Sequence, residues 1–387
     1  MPRIRFVVPA ESQFRSVLNE RVDAYFRDHG LSKHANWRMW LKTAFYVGGY
    51  LGAYFGLILR GDTASYFAGM TIMGFMTALI GFNVAHDASH RGYSGNKWVN
   101  ELWSHSFTLT GAHPYTWKIV HNVIHHTYTN IPEADGDLRP VAALRYTDTI
   151  TPWRAYHRFQ HIYAFALYSL ASLVWVVSKD YVHMRKKEHC GYPKPTPPWY
   201  EWVLLFNGKL LHYTALLIVP MALRGMPVWQ AVLGFLMMHM LAGVSLACVF
   251  AVGHLVDEVA IVPADSEGCV HDDWAAHQLK TTANFSTDSA FFFWTVGGLN
   301  FQIEHHLFPT VCHVHYPAIA PIVQRTAAEF GLPYVSYPSF VQAVAAHVRF
   351  LRRYGQAPAE SGRRQLLELR VDRRPPSGRC SRGGASR

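Results

Sequence analysis

Residues 63–90 have the sequence TASYFAGMTIMGFMTALIGFNVAHDASH, an uncharged stretch over residues 63–85 followed at once by His86-Asp-Ala-Ser-His90. About 20 mostly apolar residues are enough for a helix to cross a bilayer. Residues four apart lie on one face of a helix, so His86 and His90 can face a common centre. The stretch therefore predicts a membrane span that ends in a pair of candidate metal ligands.

Composition and further apolar stretches predict that the whole chain is membrane-embedded. Half of the 387 residues are hydrophobic and only 16% are charged. The other long apolar stretches lie at residues 43–59, 159–178, 202–223 (interrupted by Lys209) and 228–253. Since these approach or exceed the length of a membrane span, the predicted fold class is all-α and integral to the membrane.

Basic residues indicate which helix ends share a face of the membrane. The segment 179–197 is strongly basic, with Lys179, Arg185, Lys186, Lys187 and Lys194. Loops rich in Lys and Arg stay on the cytoplasmic side, so residues 86–157 and 179–197 are both predicted there. Residues 159–178 must then leave and return on one face. The prediction is four transmembrane helices in two hairpins, with both termini and a helical cap in the cytosol.

The ends of the chain differ in composition from its middle. Residues 1–40 are polar, with apolar residues at helical spacing that predict an amphipathic cytosolic helix. Residues 41–353 form the predicted membrane domain. Residues 354–387 are rich in Arg, Gly, Ser and Pro and predict a disordered basic tail. The net charge of +10 suits such basic flanks, and no nucleic-acid-binding module is recognisable.

Two more histidine clusters occur in the polar regions. They are His121-Asn-Val-Ile-His125-His126 and Gln302-Ile-Glu-His305-His306. On a helix, His121 and His125 can face one centre, and His126 lies about a quarter turn further round, so this cluster can serve two neighbouring centres. The seven histidines of the three clusters exceed what one zinc ion uses, which in catalytic sites is three protein ligands and a water. Two metal ions are the natural interpretation.

Most of the other histidines are predicted to be interfacial polar residues, because one histidine near a membrane end carries little information. This group comprises His34, His105, His113, His157, His161, His183, His189, His212, His239, His271, His277, His313 and His315. A single HxxxH pair would also be weak evidence for a metal site. Three clusters on the same predicted face of the membrane are strong support for a metal site.

The three motifs together resemble those of the membrane fatty-acid desaturases. The surrounding sequence strengthens the resemblance: His125-His-Thr-Tyr-Thr-Asn130, Asp135-Gly-Asp137 and Gly298-Leu-Asn-Phe-Gln302-Ile-Glu-His-His306-Leu-Phe-Pro309. It covers residues 40 to 350. Gln302, in place of a first histidine, is typical of the subgroup of front-end and bacterial linoleoyl-CoA-desaturase-like proteins.

The resemblance implies a fold, a cofactor and a reaction. The fold would have four spans and a cytosolic cap that holds two iron ions; the reaction would be O2-dependent desaturation of an acyl-CoA or acyl-lipid, giving a cis double bond. A further histidine ligand is implied near the end of the last span, where His254 lies. Gln302 either coordinates metal or holds a water or a neighbouring ligand. Asp87, Asp135, Asp137 and Glu304 either orient imidazole rings or are solvated loop carboxylates.

The chain departs from many front-end desaturases in one respect: it contains no HPGG haem motif. We therefore expect no fused haem, and electrons from a separate ferredoxin, flavoprotein or cytochrome b5. Arg185, Lys186 and Lys187 either dock that donor or only enforce topology. An aromatic-lined tunnel for the acyl chain is expected among Trp103, Trp117, Phe291, Phe292, Phe293 and Trp294. A bacterial inner membrane is favoured over endoplasmic reticulum, since no retention signal is visible.

Other functions remain open at this point. A hydroxylase or ketolase acting on an alkyl, sphingolipid or carotenoid substrate would use the same site residues. A b-type haem protein would need facing histidines inside the spans, where His212 and His239 are the clearest candidates. A zinc protease would need an HExxH motif, which the sequence lacks. A transporter would need charged or broken helices at mid-membrane, and the spans offer little beyond Lys209 and Pro220.

Overall fold

The computed structural model describes residues 4–9, 12–139 and 141–357, and it is mostly helical. The tail predicted as disordered lies, from residue 358 onward, outside the described residues. The helices are α1 (Phe14–Asp28), α2 (Trp37–Gly52), α3 (Thr63–Ile80), α4 (His86–Ser89), α5 (Lys97–Ser104), α6 (Ser106–Leu109), α7 (Pro114–Trp117), α8 (His126–Tyr128), α9 (Gln160–Ser169), α10 (Ala171–Val174), α11 (Asp180–Arg185), α12 (Trp199–Tyr213), α13 (Val219–Arg224), α14 (Val228–His254), α15 (Trp274–Thr281), α16 (Ala290–Thr295), α17 (Gln302–Leu307), α18 (Tyr316–Glu329) and α19 (Phe340–Gly355).

Short segments of other geometry continue or join these helices. The π-helical segments are Ala53–Ile58, Gly81–Ala85, Lys118–His125, Trp175–Lys179 and Thr214–Ile218. The 3-10 turns are Gly136–Leu138, Ala155–Phe159 and His313–His315. Three two-residue strand pairs complete the described structure: β1 (Arg5–Phe6) parallel to β4 (Cys269–Val270), β2 (Glu188–His189) antiparallel to β3 (Tyr192–Pro193), and β5 (Asn284–Phe285) parallel to β6 (Ser336–Tyr337).

Three helices in the described part of the chain are long and apolar enough to cross a membrane: Thr63–Ser89, Trp199–Arg224 and Val228–His254. A fourth candidate is the pair Ala155–Ser169 and Ala171–Arg185, which bends by 52° at its break. The pair is therefore either one broken span or a segment that enters and returns. The protein is therefore a helical membrane protein with three to four candidate spans.

The stretch predicted as the first span, residues 43–59, is not among these candidates. It lies in one continuous helix, α2 and its extension Ala53–Ile58, whose tyrosines and glycines make it less apolar than the three. It nevertheless packs against α3 as the short connection between them predicts. The side chain of Asp62 begins α3 by accepting the backbone N–H of Ser65 at 2.8 Å.

Close packing of α3 on α14 forms the centre of the membrane layer. Gly74 of α3 lies against α14, where an added Cβ would be 2.7 Å from the Met238 carbonyl oxygen. Gly234 of α14 lies against the ring of Tyr66 in the same way. Small residues let membrane helices approach closely, and this contact brings the ends of both helices, His86 and His254, to one end of the layer.

The segment Lys118–His125 and helices α1, α8, α15, α17 and α18 gather at that end and are called the cap. Helix α1 buries Phe14, Leu18, Val22 and Phe26 in a cluster with residues of α15, α17 and α18. The amphipathic helix predicted near the N-terminus is therefore present, and in the described structure its apolar face is covered by the cap. Tyr25, next to Phe26, is only partly buried.

The α3–α14 contact makes a direct prediction. Gly74→Ala should lower the free energy of unfolding by about 1–3 kcal/mol, because the new methyl group overpacks the helix contact. Gly48→Ala is the matched control, since an added Cβ on Gly48 meets nothing within 4 Å. Thermal unfolding in detergent measures both variants, and an equal midpoint for the two would contradict the close contact.

Candidate metal centre

The first histidine pair lies at the end of the α3 helix. His86 and His90 follow the π-helical segment Gly81–Ala85, and their rings are 4.8 Å apart. Both side chains are buried. The HxxxH spacing therefore places both rings at one centre, as predicted.

The second cluster divides between two centres, but not in the predicted way. The segment Lys118–His125 is π-helical, a geometry that is frequent at functional sites. His121 and His125 do not share a centre: His121 joins His86 and His90, and His125 lies on the other side with its ring 5.3 Å away. The four-residue spacing that gives His86 and His90 one centre on an α-helical turn does not do so for His121 and His125, which lie along a π-helical segment.

The third cluster, on α17, also divides. His305 has its ring 4.4 Å from that of His86, whereas the ring of His306 is 4.7 Å from that of His254. The turn before α17 allows this placement. Gly297 and Gly298 have φ angles of +62° and +70°, and a Cβ on Gly297 would lie 2.3 Å from a backbone oxygen of Phe82. Only glycine fits so close to the turn that precedes His86.

The result is two adjoining groups of histidines. His86, His90, His121 and His305 have ligand atoms within 4.8 Å of one another, and so do His125, His254 and His306. His126 joins His305 and His306 in a third such set and lies between the two. All eight side chains are buried.

His254, which the sequence offered only through the family resemblance, lies in the second group. Its Nδ1 is 3.2 Å from the Thr281 carbonyl oxygen, to which it donates, so Nε2 carries the free lone pair. The Gln302 side-chain amide lies 2.8 Å from that Nε2. Gln302 is thus in contact with the nitrogen of a neighbouring candidate ligand.

Imidazole nitrogens in this centre point at one another. The Nε2–Nε2 distances are 3.0 Å from His86 to His121, 3.2 Å from His121 to His126 and 3.0 Å from His126 to His305. Three more buried nitrogens, His90 Nε2, His126 Nδ1 and His306 Nε2, have no hydrogen-bond partner in the described structure. Buried polar atoms normally find partners, so this arrangement needs something further to satisfy it.

Electrostatics keep these rings neutral. Burial lowers the pKa well below its usual value, and the neighbouring rings lower it further, at His90, His121, His126, His305 and His306. Neutral imidazole is the form that binds transition metals. The donor set therefore fits two closely spaced transition-metal ions.

His125 is the exception. Burial lowers its pKa, but the Asp135 carboxylate, 3.1 Å from His125 Nδ1, raises it to about 9. Asp135 also accepts the backbone N–H groups of Asn130 and Asp137. This carboxylate is therefore rigidly held and fixes the His125 ring, in one of the two roles that the sequence left open.

The other carboxylates do not orient the clustered histidines directly. Asp87 accepts from Nδ1 of His313 at 2.8 Å. Glu304 accepts from Asn284 and Tyr334, and its burial raises its pKa to about 7. Asp137 is half-exposed and lies 3.4 Å from His125 Nδ1. Neither Asp87 nor Glu304 is a solvated loop carboxylate, because both are buried.

Several residues that hold the histidines were not predicted. Gln278 and Thr129 lie 3.0 Å and 3.2 Å from His306 Nδ1, and the Tyr316 hydroxyl lies 3.3 Å from His305 Nδ1. They come from distant segments with no spacing signal. Only the three-dimensional fold brings them to the site.

Seven of the histidines predicted to be interfacial are buried instead: His113, His157, His212, His239, His277, His313 and His315. Polar partners explain why they tolerate burial. His313 lies between Lys42 and Asp87, and His212 Nε2 lies 3.1 Å from His239 Nε2. The prediction failed here because a sequence does not reveal a partner far along the chain.

An aromatic wall borders the first histidine group. Trp117 lies 4.5 Å from the ring of His121 and 5.2 Å from that of Trp175, and Phe250 packs against it at 5.9 Å. Of the aromatic residues proposed for a tunnel, Trp117 alone makes such ring contacts with the clustered histidines in the described structure. Trp103 stacks on Tyr93, Phe291 is exposed, and Phe292 packs on Phe340. Trp175 and Phe250 were missed.

Fold and site together define a class: a helical integral membrane enzyme with a histidine-rich candidate metal centre. Residues 62–338 match the model of the fatty acid desaturase family. The chain therefore belongs to that family, and its activity is desaturation of a fatty acyl chain. A hydroxylase or ketolase activity is not favoured.

Relatives support the same subgroup that Gln302 indicated. The chain is 33% identical to a sn-1 linoleoyl-lipid 6-desaturase of Arthrospira platensis over 91% of its length and 95% of the relative's. It is 34% identical to the Synechocystis protein of that name over 92% and 98%. It is 36% identical to an acyl-lipid (8-3)-desaturase of Physcomitrium patens over 93% and 73%.

The Asp135–His125 contact is testable. Asp135→Asn should weaken metal binding about 10- to 100-fold, because a neutral amide supports the ligand ring less strongly than a carboxylate does. Chelator competition on the purified protein measures the affinity. Asp137→Asn is the control, since its carboxylate is more distant and 56% exposed. Equal losses in the two variants would contradict the role given to Asp135.

Proposed function

We propose that the protein is a di-iron acyl-lipid desaturase. It introduces a cis double bond into the part of an acyl chain that is nearer the carboxyl end. The observation that carries the proposal is the pair of adjoining histidine groups. Their buried nitrogens lie 3.0–3.2 Å from one another or, at His90 Nε2 and His306 Nε2, have no hydrogen-bond partner in the described structure. Nitrogen-only donor sets of this kind suit iron as well as copper or zinc, and the family favours iron.

Each group would hold one ion. The first would be held by His86, His90, His121 and His305, and the second by His125, His254 and His306. His126 lies where it can serve either. Gln302 would lie beside the second ion, because its side-chain amide is 2.8 Å from His254 Nε2. That nitrogen would give its one lone pair to the metal, so Gln302 would turn its carbonyl oxygen toward the ion or toward a water bound there. When bound, the two irons supply the reductive activation of O2 that removal of hydrogen from an unactivated methylene requires.

The chain's own residues supply orientation and a dry site. Asp135 and Thr281 fix two rings of the second group through their Nδ1 atoms. Gln278 fixes His306 in the same way. Trp117 and Phe250 form an apolar wall beside His121, against which the methylenes of an acyl chain would lie with water excluded.

The substrate is proposed to be an acyl chain esterified in a membrane lipid. The names of three relatives all specify a lipid-bound acyl group, and two specify linoleoyl-lipid with desaturation at position 6. An acyl-CoA substrate is the alternative that the sequence left open. The membrane helices that end at the site would let an acyl chain approach from within the bilayer.

The topology proposed is four spans in two hairpins, with α2 as the first span and the cap on the cytoplasmic face of a bacterial inner membrane. The bent helix pair, Ala155–Ser169 and Ala171–Arg185, would lie in the membrane–water interface or re-enter it. Cyanobacterial relatives favour a bacterial membrane.

The electron donor is proposed to be a separate ferredoxin, flavoprotein or cytochrome b5 that docks beside the second histidine group. Arg185, Lys186 and Lys187 are exposed in a row after α11. The adjacent strand β2 brings His189 against Gly136, within the turn that holds Asp135. A basic surface at this position suits an acidic electron carrier.

Expression in a host with a simple fatty-acid profile tests the proposal. Gas chromatography–mass spectrometry of derivatised lipids should reveal a new unsaturated acid in the lipid fraction. The mass-spectrometric fragments of this acid should locate its double bond. His125→Ala with His305→Ala should abolish it, because each histidine group then loses a ligand. His29→Ala, on the surface of α1, is the control and should leave it unchanged.

The same experiment separates the alternatives. A hydroxylated or keto product would overturn desaturation while keeping the metal centre. A product confined to the acyl-CoA pool would overturn the lipid-bound substrate. Wild-type protein that binds no iron and makes no product would overturn the proposal as a whole.

A further inference from the structure

A charged side chain in the middle of a membrane span has no role in the desaturation chemistry above. Lys209 lies within Trp199–Arg224, and its side chain is only 4% exposed. Its Nζ forms an ion pair with Asp180 Oδ2 at 2.7 Å, and the Asp180 side chain is 1% exposed. Charged residues inside membrane proteins are costly and usually functional.

The hydrogen bonds of this pair are fully used. Lys209 Nζ also donates to the Gly111 carbonyl oxygen at 2.6 Å and lies 3.5 Å from that of Trp175. The second carboxylate oxygen of Asp180, Oδ1, accepts from the Thr116 hydroxyl at 2.7 Å and from the Trp175 indole N–H at 2.8 Å. The ion pair therefore joins α12, α7 with the loop before it, and the bent segment around Trp175.

Both donors to Asp180 Oδ1 adjoin Trp117. Thr116 precedes it in α7, and the Trp175 ring packs on the Trp117 ring at 5.2 Å with 33° between the planes. Trp117 in turn lies 4.5 Å from the ring of His121. The ion pair is thus separated from a histidine of the first group by the aromatic wall alone.

Stability does not explain this arrangement. Replacing a buried ion pair by apolar residues of similar size is often neutral or stabilising, because the charges no longer need to be desolvated. The ion pair provides a hydrogen-bond acceptor, Asp180 Oδ1, which an apolar pair would lack. This acceptor is directed at Thr116 and Trp175, which lie on either side of the Trp117 ring. Its effect is therefore on where Trp117 lies.

We propose that the Asp180–Lys209 ion pair is a positioning device that sets the Trp117–Trp175 wall and thereby determines which carbon pair of the acyl chain faces the histidine centre. The inference rests on the proposed function, because the wall must contact the substrate. Asp180 and Lys209 are positioning residues and touch neither substrate nor metal.

Two double variants isolate the acceptor from the charge. Asp180→Leu with Lys209→Met removes both, leaving Thr116 and Trp175 without their acceptor. Asp180→Asn with Lys209→Met removes the charges but keeps an amide oxygen that both donors can reach. The first should yield double bonds at more than one position and a kcat lowered about 10- to 100-fold, the usual cost of a misplaced substrate. The second should recover a single position.

A lighter change tests the same contacts with the ion pair intact. Thr116→Val removes one of the two donors and leaves both rings of the wall in place, and it should also spread the double-bond position while iron content and unfolding midpoint stay at the wild-type values. If this variant gives a single product with the double bond at the wild-type position, the inference is overturned. This test also holds when Asp180→Leu with Lys209→Met fails to fold.

A spectroscopic measurement keeps the inference separate from the proposed function. Near-ultraviolet circular dichroism of the Trp117–Trp175 pair, taken as the difference from Trp175→Phe, requires no turnover. The difference signal should be lost in Asp180→Leu with Lys209→Met and kept in Asp180→Asn with Lys209→Met. Loss of the signal shows that the ion pair positions the wall even if the wild type makes no unsaturated product, an outcome that would contradict the proposed function and not this positioning. An unchanged signal in the first variant overturns it.

Discussion

The contact of eight buried imidazole rings is the constraint on which the rest of the structure depends. Their nitrogens lie as close as 3.0 Å to one another, in surroundings that lower the pKa of most of them. Protonated rings would repel, and neutral rings leave lone pairs without donors. Such an arrangement is stable when cations draw the lone pairs together. Metal binding and folding of this region are therefore expected to be coupled.

The membrane layer and the cap divide the work of building this centre. Close packing of α3 on α14 brings His86, His90 and His254 to one end of the membrane layer. The cap then adds rings from the π-helical segment before α8 and from α17, and it closes the site with Asp135, Gln278 and Thr281. Helix ends, rather than helix middles, carry the clustered histidines. The long apolar helices can thus be lipid-embedded while these histidines lie at their boundary.

Local spacing in the sequence was enough to find seven of the eight clustered histidines, whereas His254 came only from the family resemblance. The four-residue spacing of His86 and His90 predicted that both rings face one centre. The apolar length of residues 63–85 predicted the span that precedes them. The division of the second cluster was not predictable, because it depends on how His121 and His125 sit along a π-helical segment relative to α17. Burial of Lys42, His313 and Lys209 was equally hidden, since each pairs with a residue far along the chain. The apolar length of residues 43–59 predicted a span, and the composition of α2 falls short of the other candidates although it packs with α3 as predicted.

The number of iron ions bound by the purified full-length chain tests the central claim most directly. After anaerobic reconstitution with Fe²⁺ and removal of excess metal, the account predicts two ions per chain. His90→Ala should reduce this to about one, and His254→Ala should do the same at the other group. Mössbauer spectra would then show a different remaining site in each variant. One ion in the wild type, or the same remaining site in both variants, would contradict a centre built from two adjoining histidine groups.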